Sequence, residues 1–157
     1  MSLTIGAAAP DFSLPATDAQ TVSLAALKGK PFVLYFYPRA DTPGCTQEAC
    51  DFQSDLPDFS QLGVVVIGVS KDKMKALEKF AEKYALTFAL ASDPEATTIA
   101  AYGAWQEKSM YGKKYMGIER STVLVDAQGC IAKHWPKVKI AGHAQEVLQA
   151  VQTLMSK

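Results

Sequence analysis

Two nearly continuous apolar runs, Phe32 to Tyr37 and Val64 to Val69, limit the folds open to this chain. A run without polar alternation is what a central strand buried on both faces requires. Between the two, Ala49, Phe52, Leu56 and Phe59 share one stripe at helical spacing. Beyond the second, Met74, Leu77, Phe80, Ala81 and Tyr84 form another, and the lysines and glutamates among them read as a solvated face. Buried strands alternating with amphipathic helices predict an α/β layered fold.

The rest of the chain extends this pattern. Phe12-Ser13-Leu14 and Thr21-Val22-Ser23-Leu24 alternate, which predicts a small N-terminal hairpin. Pro38 ends the first apolar strand, and Pro57 is expected to kink or end the helix that follows Pro43. Ser70 or Asp72 is the expected cap of the next helix. Phe88 to Ala91 reads as a short strand. Asp93-Pro94-Glu95 reads as N-cap, first helical position and acidic first turn of a short helix to Tyr102. Gly103 to Glu119 has three glycines and no clear period, and reads as a long ordered loop. Ser121 to Val125 and Cys130 to Trp135 flank the turn Asp126-Ala127-Gln128-Gly129, a late hairpin that makes the sheet mixed. Val147, Leu148, Val151, Leu154 and Met155 define a final amphipathic helix. After the N-terminal hairpin the expected order is β-α-β-α-β-α-β-β-α.

A length of 157 residues suits one domain, 1–157, with a full hydrophobic core. Sixteen basic and sixteen acidic side chains cancel, so charge gives no case for binding nucleic acid or an anionic membrane surface. No apolar run approaches the length of a membrane span. Met1 to Pro10 lacks both a charged segment and a continuous apolar one, so no secretory signal is expected. Three cysteines then fit a reducing cytoplasm, in which any disulfide is transient and catalytic.

The chemistry concentrates at the first strand-to-helix boundary, Thr42-Pro43-Gly44-Cys45-Thr46-Gln47-Glu48-Ala49-Cys50. Ligands bind at such boundaries, beyond the carboxyl ends of central strands. A helix N-terminus offers free N–H groups and about half a positive charge. Both favour a thiolate, so Cys45 is the candidate nucleophile. A cysteine can also be a small buried hydrophobe, but Pro43, Gly44 and the polar residues after Cys45 read as a boundary and not as core. A zinc site would need more ligands, and Cys130, His134 and His143 form no clean second pair. The dithiol spacing C-x-x-C is absent.

Phe36-Tyr37-Pro38 with Thr42-Pro43-Gly44-Cys45-Thr46 and Glu48 resembles the peroxiredoxin motif P-x-x-x-T-x-x-C. The likeness extends to Gly6, Ala9-Pro10-Asp11-Phe12, Trp105, Glu107-Lys108, Tyr111 to Lys114, Gly117-Ile118, Arg120-Ser121-Thr122, Val138-Lys139 and Gly142-His143. It is closest to the bacterioferritin comigratory protein, or peroxiredoxin Q, subfamily. The resemblance implies a thioredoxin-like, three-layer fold with a central mixed sheet. It implies a thiol-dependent peroxidase that reduces hydrogen peroxide and organic hydroperoxides, with no metal or other cofactor. By position, Cys45 matches the peroxidatic cysteine, Thr42 the active-site threonine, Pro38 the shielding proline and Arg120 the active-site arginine. Glu48 matches the acidic residue that holds the arginine, Gly44 belongs to the motif, and Cys50 falls where many members carry the resolving cysteine. The resemblance also implies a monomer recycled by thioredoxin or a similar dithiol protein.

Two other readings share the same thiol. One is a one-cysteine peroxidase resolved by an external thiol, and the other is a redox sensor or holdase that reacts once. Cys130 reads as a half-buried hairpin residue, His143 as structural, and Trp105 and Trp135 as packing residues. The spacing of the two cysteines adds a geometric demand. Five residues along a continuous helix separate Cα atoms by about 8–9 Å, whereas a disulfide needs them within about 7 Å. A bond between Cys45 and Cys50 therefore requires that helix to unwind.

Overall fold

The computed structural model describes residues 3–156. Seven strands form one mixed sheet in the order β2-β1-β5-β4-β3-β8-β9. Its centre is β3 (Phe32–Phe36), parallel to β4 (Val65–Ser70), which is in turn parallel to β5 (Ala89–Ser92). On the other side β8 (Ser121–Val125) and β9 (Ile131–Trp135) run antiparallel. The hairpin of β1 (Ser13–Ala16) and β2 (Gln20–Ser23) joins the sheet through Ala16 and Ala91.

The unbroken apolar run of β3 divides between two cores, because alternate side chains face opposite sides of the sheet. Phe32, Leu34 and Phe36 enter a core with Phe12, Ile67, Val69, Ile99, Tyr102 and Val123. Val33, Tyr35 and Tyr37 enter the other, with Phe52, Leu77, Phe80, Val147 and Val151. The first core is covered by α3 (Thr97–Ala101) and the N-terminal segment. The second is covered by α1 (Pro43–Gln61), α2 (Met74–Lys83) and α4 (His143–Met155). Helices on both faces of the sheet give the three layers.

Tyr35 connects the sheet to the helix that matters most. It pairs in register with Gly68, where an added Cβ would stand 2.8 Å from the tyrosine ring. On its other side the ring stacks on Phe52 of α1, with centroids 4.7 Å apart. A small residue in β4 thus gives the ring room to lie between sheet and helix.

Three local expectations need correction. Helix α1 does not end at Pro57 but continues to Gln61. The ring is on the exposed side, where water can satisfy the freed carbonyl, while buried Phe52 and Phe59 hold the other face. Gly103 to Glu119 is not a loop. It contains the hairpin of β6 (Trp105–Met110) and β7 (Lys113–Ile118), a separate two-stranded sheet. The caps also differ. Helix α3 begins after Ala96, in the left-handed region at φ 60°, and Asp93 instead accepts from the Ile99 amide at 2.8 Å. Helix α2 begins after Lys73 with no side-chain cap, and Ser70 donates to Asp72.

No helix among the described residues is long and apolar enough to cross a membrane. No group of three or more His, Cys, Asp or Glu side chains among them is gathered as a metal site needs.

Candidate active site

The end of β3 delivers the chain to the site through a loop that is fastened on both sides. The Ala40 amide donates to Asp72 Oδ2 at 2.7 Å, which also accepts from the Ser70 hydroxyl. Asp41, in the left-handed region at φ 61°, accepts from Lys83 Nζ at 3.0 Å and from the Tyr84 hydroxyl at 2.8 Å. Ser70 and Asp72, expected as helix caps, therefore fix the approach to α1.

Thr42 is the N-cap residue of α1, with extended backbone, and its carbonyl accepts from the Thr46 amide at 2.8 Å. Its hydroxyl donates to the Arg39 carbonyl at 2.8 Å. With that proton committed, Thr42 Oγ1 offers lone pairs and can accept from a ligand. Pro43 occupies the first turn, where its missing N–H costs nothing. Pro38 is exposed at the end of the strand run.

Cys45 lies in that first turn, at the expected boundary, but it is also core, contrary to the sequence reading: it is 1% exposed and packs with Tyr35, Tyr37 and Phe52 in the second core. Arg120, just before β8, reaches the thiol from the start of the strand next to β3: Nη2 donates to Cys45 Sγ at 3.2 Å. The other fork nitrogen, Nη1, donates to Glu48 Oε1 at 2.6 Å. The guanidinium thus spans one helical turn of α1, joining positions 45 and 48. Positions three apart share a helix face, so one planar fork can serve both.

The electrostatics are those of a tight, largely buried cluster. Glu48 is 2% exposed, and burial pushes its carboxyl up to about 7 while Arg120 pulls the other way. Burial also works against the charge on Arg120. Glu48 and the Cys45 sulfur outweigh it and raise the guanidinium above an ordinary arginine. Glu48 Oε2 and the hydroxyls of Tyr35, Thr46 and Ser121 are buried without a hydrogen-bond partner among the described residues. The phenol of Tyr35 is raised well above an ordinary tyrosine by burial, then by Tyr37, Glu48 and Cys45.

All three cysteines are free thiols. Cys50 is half-buried further along the same uninterrupted helix, and burial pushes its thiol up, with Asp51 adding to the effect. Cys130 is remote from this cluster, beyond the far end of β8. It bridges to Ala8, and its amide donates to Asp126. His143 is buried at the start of α4, with Nε2 and Thr122 Oγ1 2.8 Å apart.

The structure brings together Thr42, Gly44, Cys45, Glu48 and Arg120. Sequence reading overlooked Ile140. A Cβ at Gly44 would stand 3.1 Å from Ile140 Cδ1 and 3.4 Å from Arg120 Nη2. The only signal for it was the alternation of Lys137 and Lys139 with Val138 and Ile140 in a short connection.

A family model described as the AhpC/TSA family matches residues 5–134. The chain is 50% identical to the putative peroxiredoxin bcp of Coxiella burnetii over 94% of its length and 98% of the relative's. It is 46% identical to peroxiredoxin Bcp of Bacillus subtilis over the full length of both. Among solved structures, the bacterioferritin comigratory protein of Xanthomonas campestris superposes with a TM-score of 0.90 at 40% identity, covering 98% of each chain. A thiol in the first turn of a helix, held by an arginine from the start of the adjacent strand, sits in a chain of that ancestry; the chain belongs to the AhpC/TSA family, in its bacterioferritin comigratory protein, or peroxiredoxin Q, branch.

Proposed function

We infer that this chain is a thiol peroxidase that reduces hydrogen peroxide and organic hydroperoxides through Cys45. The observation that carries the reading is the Arg120 fork, with one nitrogen on Cys45 Sγ and the other on Glu48. The X. campestris relative is described by its alkyl peroxide reduction activity, which supports the same substrate class here.

The Cys45 thiolate attacks the terminal peroxide oxygen. The S–O bond forms as the O–O bond breaks, and the leaving alkoxide or hydroxide takes a proton to become alcohol or water. Arg120 donors lie where that negative charge grows, and Thr42 Oγ1 accepts from the incoming O–H. Sulfur is oxidised to a sulfenic acid. The Cys50 thiol then condenses with it, releasing water and leaving a Cys45–Cys50 disulfide. Thioredoxin, or a similar dithiol protein, returns both thiols. Every group in this cycle apart from the reductant comes from one chain, which supports action as a monomer. Three cysteines, too few for a disulfide-stapled scaffold, suit a reducing cytoplasm.

Repeated consumption of hydrogen peroxide in the presence of thioredoxin and its reductase tests the reading. A sensor or holdase would react once per thiol and stop.

The cycle also makes a structural demand. Since α1 is continuous through positions 45 and 50, the disulfide forms only after its first turns unwind. Downstream the helix is fastened. Gln53 donates to the Thr87 hydroxyl and accepts from the Thr87 amide, both at 2.8 Å, and Gln145 donates to Asp55 at 2.8 Å. Oxidised protein is expected to exchange amides faster from about Thr42 to about Phe52, with protection kept beyond Gln53. An oxidised sample with a proven 45–50 bond and unchanged exchange in this segment would rule the unwinding out.

A further inference from the structure

Between β9 and α4 the chain passes as a strap against the N-terminal turn of α1. It is pinned to the start of β8 at two points. The Val138 amide donates to the Arg120 carbonyl at 2.9 Å, and His143 meets the Thr122 hydroxyl at 2.8 Å. His143 is held edge-on between Trp135 and Phe52. Along the strap Lys137 and Lys139 are exposed, whereas Val138 and Ile140 are half-buried, so alternate side chains turn inward.

Ile140 ends at Gly44. Its Cδ1 and Arg120 Nη2 both lie against the point where a Gly44 Cβ would stand, at 3.1 and 3.4 Å. The same guanidinium nitrogen is 3.2 Å from Cys45 Sγ. Nη2 and Sγ are already in contact, so a peroxide lies against that sulfur beside the fork, with the Ile140 methyl at its border. Hydrogen peroxide ends at its second oxygen. An organic hydroperoxide carries carbon on that oxygen, and the carbon must lie next to something. Arg120, Thr42 and Glu48 are polar neighbours, which an alkyl group gains nothing by touching.

We propose that Ile140, resting on Gly44 beside the Arg120 fork, is the apolar wall against which the organic part of a hydroperoxide packs, and so determines specificity. This rests on the peroxidase reading above. The missing Cβ at Gly44 lets the wall approach the helix. The two pins hold it in place beforehand, so little ordering is left for binding to do.

The test compares kcat/KM of the wild type, Ile140→Ala and Ile140→Leu with hydrogen peroxide and with cumene hydroperoxide, in one thiol-coupled assay. Removing about three carbons from a partly exposed apolar contact is expected to lower the cumene hydroperoxide value roughly 5- to 20-fold in Ile140→Ala. Hydrogen peroxide should stay within about twofold, and Ile140→Leu should keep most of the cumene hydroperoxide rate. Equal losses with both substrates would mean that Ile140 acts by seating Arg120, and would overturn the proposal. So would an unchanged ratio of the two substrates. Hydrogen peroxide turnover by the wild type measures the peroxidase reading separately: its absence overturns both, whereas an unchanged ratio overturns the role of Ile140 alone.

Discussion

Cys45→Ser is expected to lose all measurable peroxide turnover, while Cys130→Ser keeps nearly all of it. Serine is close in shape to cysteine, so the buried pocket beneath α1 survives and the protein should melt near the wild-type temperature. Its hydroxyl stays protonated at neutral pH and is not a useful nucleophile toward an O–O bond. The nearby donors cannot substitute for it, because Arg120 and the α1 amides stabilise charge but supply no electron pair. Cys130 is the control, since it lies beyond the far end of β8 and pairs with Ala8. Steady-state hydrogen peroxide consumption by the two variants reads the difference. Substantial turnover by Cys45→Ser would overturn the assignment.

The second large effect is at Arg120. Arg120→Lys is expected to lower kcat/KM by roughly 100- to 1000-fold, as loss of a preorganised donor commonly does. In the wild type, Nη1 and Nη2 serve Glu48 and Cys45 at the same time. A lysine has one nitrogen and must serve one or the other. Serving Cys45 leaves Glu48 buried with neither oxygen paired, which is costly for a carboxylate whose Oε2 already lacks a partner. Serving Glu48 removes the donor from the sulfur. Either way the positive charge is kept and the geometry is lost. A kcat/KM within about threefold of wild type would show that charge alone suffices.

The parts of the fold legible in the sequence are those whose side chains must be buried. Phe32 to Tyr37 and Val64 to Val69 are apolar because both sheet faces are covered, and the stripes of α1, α2 and α4 follow from the same cores. The β6–β7 ribbon was not legible for the opposite reason. It lies outside the main sheet with most of its residues exposed, including Tyr111 at 97%, so no alternation was imposed on it. Pro57 misled because proline is disruptive only where its ring and the freed carbonyl lack room or solvent. At the site, the residues near Cys45 in sequence were legible from motif spacing. Arg120 came through resemblance. Ile140 was not legible because its importance comes from what it touches, a glycine nearly one hundred positions away, and one isoleucine among many carries no mark of that.

If Cys45 and Cys50 form the proposed disulfide, their placement on one continuous helix couples helix strength to reduction potential. In the proposed cycle, reduced protein has the α1 turn formed and oxidised protein has it broken. Any free energy that stabilises the turn is therefore lost on oxidation and regained on reduction. At about 30 mV for each 1.4 kcal/mol, a better helix former on the exposed side of α1 makes the disulfide more oxidising without touching either sulfur. A poorer one makes it harder for the reductant to clear. In that cycle the solvent-facing residues of this turn, which contact no substrate, tune how readily electrons enter the enzyme.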